Sequence, residues 1–172
     1  MSLIGKKILQ FKTNWTTKNI ERSINALPYD QAQSFGLLYV YESNAKEEAV
    51  HNWVERLKSD QKKVHVLCMQ SDAKPPLSTF PTLTLSDMTA MGSIKNDVLV
   101  QFLERSYDYF IHLDFEVDEV VDMIIIKTKA KCKIGFYSEQ HQKKYDLMIG
   151  MNKSAGIVNF VEQITKYLKS IK

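Results

Sequence analysis

The sequence predicts an α/β protein: a three-layer αβα sandwich built on an open, mostly parallel, Rossmann-like sheet of five or six strands. Three observations carry this. Tyr109-Phe110-Ile111-His112-Leu113 is a short, nearly continuous apolar run ending at Asp114. A run of that length that does not alternate fits a strand covered on both faces. Helical patterns flank it: Ile94, Val98, Leu99, Phe102 and Leu103 before, with Ser93 as the expected N-cap, and Val117, Val120, Val121 and Ile124 after. The second of these helices is acidic early (Glu116, Asp118, Glu119, Asp122) and basic late (Lys127, Lys129), the order that complements a helix dipole. Finally, two apolar runs, Phe35–Tyr41 and Lys63–Met69, enclose one helix pattern, the spacing of a right-handed βαβ crossover.

The elements follow in order. Residues from about 3 to 27 read as a helical arm, with Ile4, Ile8, Phe11 and Trp15 on one face and Lys6, Lys7, Lys12, Lys18 and Arg22 on the other. Pro28 ends it. Phe35–Tyr41 is the first strand. Asn44 and Glu47 have capping-box spacing at the start of the next helix, whose core face is Ala49, Val50, Trp53, Val54 and Leu57. Lys63–Met69 is the second strand. The stretch from Gln70 to Pro81 is a loop, because Pro75, Pro76 and Pro81 forbid regular structure. Thr82–Leu85 is a short edge strand. Beyond the central segment come strands at Lys131–Tyr137 and Tyr145–Met151. A closing helix from about Ser154 to Ile171 buries Ile157, Phe160, Val161, Ile164 and Leu168. The expected strand order is 3-2-1-4-5-6, within a single α/β domain spanning 1–172.

Composition bounds the class. The chain has 172 residues, 44% apolar and 25% charged, which suits one soluble globular domain. A net charge of +3, with the lysines scattered, does not call for nucleic acid. Cys68 and Cys132 both fall in predicted strands and read as buried thiols. No apolar run approaches the roughly 20 residues that span a bilayer. No signal-peptide pattern is present, so a cytoplasmic protein is expected.

In an open parallel sheet, ligands bind at the carboxyl ends of the strands where the strand order reverses. Here that crevice lies between the first and fourth strands. Glu42, Ser43 and Asn44 reach it from one side, and Asp114, Phe115 and Glu116 from the other. Ser86, Asp87 and Thr89 are placed to close over it. Two helix N-termini aimed there would favour an anion. The candidate ligand residues are Ser43, Asn44, Asp114 and Glu116. As cap and turn formers, Ser43, Asn44 and Asp114 have a structural reading too. His112 and Asp114 point to the same face of the strand, which suits either a proton-transfer pair or a histidine packed under a helix.

Other chemistries are disfavoured. The six glycines form no Gly-rich phosphate loop. No His or Cys spacing suits a metal, and no nucleophile elbow occurs, so neither a metal site nor a cofactor is expected. Lys127-Thr128-Lys129-Ala130-Lys131-Cys132-Lys133 reads as a solvated rim that complements a helix C-terminus.

The Tyr107–Asp114 segment, its following helix, the strand Ala130–Tyr137 and the closing Tyr145–Ile149 resemble a family of short uncharacterised proteins from Bacteroidetes. The resemblance runs from about Phe35 onward and implies a domain of unknown function. The same Tyr-Asp, apolar strand, Asp segment with its Lys, Ile, Gly, Phe strand is more distantly similar to the N-terminal half of ADP-heptose–lipopolysaccharide heptosyltransferases. That likeness implies the fold; the second, donor-binding domain of those enzymes has no counterpart here.

Two functions follow as expectations. The first is a non-catalytic α/β binding or interaction domain, acting as a homodimer, with the basic arm and the aromatics near Trp15 as contact surface. The second is a small enzyme or ligand-binding protein that holds an anionic metabolite, a nucleotide or sugar phosphate, at the strand 1/strand 4 crevice.

Overall fold

A computed structural model describes residues 25–71, 77–87 and 96–171. Of the expected helical arm only residues 25–27 are among them, and these are not helical; Trp15, Ser93 and Thr89 lie outside. Six strands form one sheet: β1 (Ser34–Val40), β2 (Lys63–Met69), β3 (Thr82–Leu83), β4 (Ser106–His112), β5 (Lys129–Phe136) and β6 (Leu147–Ile149). Their order is β3-β2-β1-β4-β5-β6, and every pair is parallel. The expected order therefore holds, with β1 and β4 adjacent at the centre. Among the described residues, three α-helices connect strands, α1 (Asn44–Ser59), α2 (Asp97–Glu104) and α3 (Glu119–Lys127), and a fourth, α4 (Gly156–Ser170), follows β6.

The alternation of side chains along the central strands makes two cores. Phe35, Leu37 and Tyr39 of β1 and Ile111 of β4 face α1 and α4, where they meet Trp53, Leu57, Phe160 and Ile164. Leu38 and Phe110 face α2 and α3, meeting Phe102, Val120 and Ile124. Trp53 donates its indole N–H to Thr165 Oγ1 at 3.1 Å, so α1 and α4 are bonded as well as packed. Cys68 and Cys132 are both buried in the core, as their places in strands required.

Several ends differ from the sequence reading. The N-cap of α1 is Ser43, one residue before the expected Asn44; its side chain accepts the Lys46 N–H. Glu47 does not reach back to the cap. It is drawn inward by Tyr39, Ser78 and Thr79. Helix α2 is capped by Asn96, whose Oδ1 accepts from Val98 and Leu99, rather than by Ser93. Asp118 caps α3 in the same way. β6 is only Leu147–Ile149, because Tyr145 turns inward and Asp146 folds back to accept the Lys133 N–H at 2.7 Å. Helix α1 closes with Gln61 in the left-handed region (φ 60), while Lys62 N–H returns to Leu57 carbonyl at 2.9 Å.

The lysine-rich stretch separates into two parts. Lys127, Lys129 and Lys131 are exposed, as a rim requires, but Lys133 is buried. Its ammonium reaches the Ile125 and Ile126 carbonyls at the C-terminus of α3. It complements that helix end from the neighbouring strand.

Tyr145 packs its ring flat over the backbone of Gly135. A Cβ built on Gly135 would stand 2.4 Å from that ring, whereas one on Gly150 meets nothing nearer than 3.6 Å. Gly135→Ala should therefore cost about 1–3 kcal/mol through overpacking, and Gly150→Ala should cost well under half of that; urea denaturation midpoints compare the two directly.

Candidate functional site

The strands deliver Asp114 to the junction predicted for it, and there it is buried, with 4% of its surface exposed. A bare carboxylate in that position would be costly, so its partners define the site. Oδ2 accepts the Val40 N–H at 2.9 Å, where β1 ends. Lys46, from the first turn of α1, sets its buried ammonium against Oδ1, and also lies 3.0 Å from the exposed Glu42. His112 Nε2 lies 3.1 Å from Oδ2, off the direction of a good hydrogen bond. Because the carboxylate can only accept, Nε2 carries the imidazole hydrogen and Nδ1 faces the Tyr145 hydroxyl at 2.8 Å. The result is a buried chain, Tyr145–His112–Asp114–Lys46, ending at Glu42 in solvent.

Burial alone would push the Asp114 carboxyl up. The His112 ring and the Lys46 ammonium outweigh it and hold the group below the usual carboxylate range. Burial drives the Tyr145 hydroxyl strongly upward, with Asp122 and Asp114 adding to it. A tyrosine so placed holds its proton and serves as a donor, not as a nucleophile.

The four candidate residues are thus not one cluster. Asp114 is inside the ion network. Ser43 caps α1, and Asn44 Oδ1 accepts a hydrogen bond from the Tyr41 hydroxyl. Glu116 is exposed and pairs with Lys153. Of the residues expected to close over the crevice, Asp87 accepts from the Thr84 N–H at 2.7 Å and so closes its own turn. His112 and Asp114 do come together, as their shared face required.

Sequence reasoning missed Lys46, Tyr145 and a second buried carboxylate. Glu47 Oε1 accepts from Ser78 Oγ (2.9 Å) and Thr79 N–H (2.9 Å), and Tyr39 donates to its other oxygen. Burial raises the Glu47 carboxyl, but the Tyr39, Thr79 and Ser78 donors together hold it low. This cluster fastens the returning loop before β3 onto α1. Its one legible signal is that Ser78 and Thr79 follow a proline-rich loop without being needed for a turn.

Two open depressions lie away from the β1/β4 junction. One, of about 560 Å³, sits below α1 among Tyr29, Asp60 and Lys169. The other, of about 290 Å³, runs along the outer edge of β2. Among the described residues, no group of three His, Cys, Asp or Glu is placed to hold a metal. No helix among them is long and apolar enough to cross a membrane.

The network predicts a coupled stability effect. Lys46→Met should cost about 3–5 kcal/mol by leaving Asp114 without its cation, and Asp114→Asn a similar amount. The double variant should cost clearly less than the sum, as a double-mutant cycle would read. Since the folded Asp114 carboxyl lies below its unfolded value of about 3.9, its contribution is present above about pH 4 and is lost as pH falls through the folded value. Acid titration of stability should accordingly be shallower in Asp114→Asn than in the parent chain.

Comparison with known proteins gives a family and no activity. No curated protein and no solved structure is significantly similar to the chain. One family model, described as a family of unknown function (DUF6913), matches residues 6–171. That match spans both cores, the Asp114 network and the edge of β2, so the chain belongs to the DUF6913 family.

Proposed function

We propose that this domain works by binding a macromolecule rather than by catalysis. One observation carries the reading: the place where a Rossmann-like sheet would receive a ligand is filled by the protein's own charges. Asp114 is 4% and Lys46 6% exposed, and each is already held by the other. A metabolite would have to break a buried ion pair before it could reach Asp114. The surface features that remain open are grooves and edges, which suit a macromolecular partner.

The rival reading places a nucleotide or sugar phosphate over Ser43, Asn44, Asp114 and Glu116. It is supported by the capped N-terminus of α1, which supplies a positive end there. Cytoplasmic location, homodimerisation, an origin in Bacteroidetes and the likeness to heptosyltransferase N-terminal halves belong to the proposal in the same way. Light scattering reads the dimer directly.

A thermal-shift screen against nucleotides, nucleotide sugars, dinucleotides and sugar phosphates separates the two readings. A ligand at one hundred times its Kd adds about 2.7 kcal/mol, a rise of roughly 5–10 °C for a chain of this size. The binding-domain reading expects no such rise. A shift that disappears in Ser43→Ala, a variant that leaves the ion pair intact, would overturn it in favour of the metabolite site.

A further inference from the structure

Among the described residues, the outer edge of β2 is only half covered. β3 pairs with Cys68 and Met69 alone. Cys68 N–H reaches the Pro81 carbonyl at 2.9 Å and Gln70 N–H the Leu83 carbonyl at 3.0 Å, so even-numbered residues of β2 face outward. Lys63 N–H, by contrast, turns inward to Gln33. Val64 and Val66 therefore present their N–H and C=O groups to the open side. Nothing among the described residues pairs with them. β3 cannot be continued along this stretch by its own chain: Pro81 has no N–H, and Phe80 turns away to stack on His51 at 4.4 Å.

This bare ladder is the floor of the 290 Å³ groove. Val54 and Lys58 of α1 make one wall; Val98, Phe102 and Arg105, at the other side, make the second. Val98 is 37% exposed although apolar. The formal charges that line the groove are all positive. Among the described residues Lys58 pairs with the exposed Glu55, at 2.9 Å, a weak pair. No carboxylate among the described residues lies within ion-pair distance of Arg105. His65, on the strand between the walls, is held below its usual range by burial and by Arg105.

An unpaired strand edge between two apolar walls is satisfied by one kind of ligand, an extended backbone that adds to the sheet. Its side chains would alternate between the walls, one set packing on Val54 of α1 and the other reaching Arg105 beside α2, whose charge selects acidic groups. We propose that the β2 edge between α1 and α2 docks an extended segment of a partner protein, apolar at alternate positions and acidic between them. This rests on the reading of the domain as a binding module and supplies its site. A second copy of the chain would bring Lys58 and Arg105 against their own equivalents, and fits less well.

The test uses the full chain and three blocked synthetic peptides: alternating valine and glutamate, alternating valine and lysine, and the first peptide N-methylated along one backbone edge. Fluorescence anisotropy should show the acidic peptide binding at least tenfold more tightly than either of the others. Amide exchange by NMR should slow at least tenfold at Val64 and Val66. Arg105→Glu should weaken the acidic peptide at least tenfold and favour the lysine peptide. Equal affinity for the N-methylated peptide would reduce the site to charge and overturn the proposal, as would no binding by the acidic peptide. Protection of Val64 and Val66 that grows with protein concentration would assign the edge to a second copy. Protection already present, and lost when residues 1–24 are removed, would assign it to the chain itself. Either outcome overturns the partner assignment. A flat peptide series beside a flat metabolite screen sinks only this site; a metabolite shift abolished by Ser43→Ala sinks the binding reading itself.

Discussion

The structure depends on one requirement, that β4 be tied to β1 at both ends by carboxylates. β4 and the segment just beyond it supply two aspartates. At the lower end Asp108 accepts the N–H groups of Gln33 and Ser34 at 2.8 and 3.0 Å and takes Lys131 as its cation. At the upper end Asp114 accepts the Val40 N–H and takes Lys46. Each satisfies backbone donors that flank β1 just where regular pairing with β4 ends. The two sites differ in depth. Asp108 is partly exposed, so its charge is screened, whereas Asp114 must be compensated wholly from within. That difference is why Lys46 is buried, why His112 is turned towards β1, and why Tyr145 leaves its strand to lie on Gly135 and meet the imidazole.

The order Tyr, His, Asp has the outward form of a proton relay, and roles of that kind are assigned by geometry and access, not by composition. Here the terminal hydroxyl is enclosed, with its proton held by burial, and the carboxylate end is anchored by an ammonium. A working relay presents its last group to a substrate, while here the Tyr145 ring is packed against Gly135 and its hydroxyl faces the imidazole. The arrangement instead fixes the relation of three parallel strands and the helix that leaves the first of them. Such specificity is the best-supported role of a buried polar network in which most members are satisfied.

What the sequence made legible follows its physics. Apolar runs and 3.6-residue periods report burial, and they gave the strands, the crossover order and both cores. Asp114 was readable because a carboxylate that ends a buried strand must go somewhere specific. Its partners were not. Lys46 looks like any lysine in a helix's first turn, and Tyr145 like the start of a strand, until the tertiary fold brings them to Asp114. Ser43 and Asn44 were equally plausible caps by residue type, and the choice fell to the first because Asn44 is drawn to the Tyr41 hydroxyl. Glu47 had capping-box spacing but found three donors inside instead of one outside. Local rules yield where a buried group gains more partners elsewhere.

The same reasoning explains why the edge of β2 stands out. Parallel sheets hide their strands under helices, so hydrogen-bonding capacity stays open only at the two edges. At the β6 edge the outermost strand is only three residues long, so little ladder is presented there. At the β2 edge the chain returns through a proline-rich loop and joins the sheet only at Cys68, after Pro81. Natural edges are commonly blunted by charge or by proline along their exposed length. Here proline stops β3 from running further, while Val64 and Val66 are apolar and have no strand partner on that side among the described residues. An edge that β3 cannot extend along, but whose N–H and C=O groups are chemically intact, is a surface on which a second backbone can act.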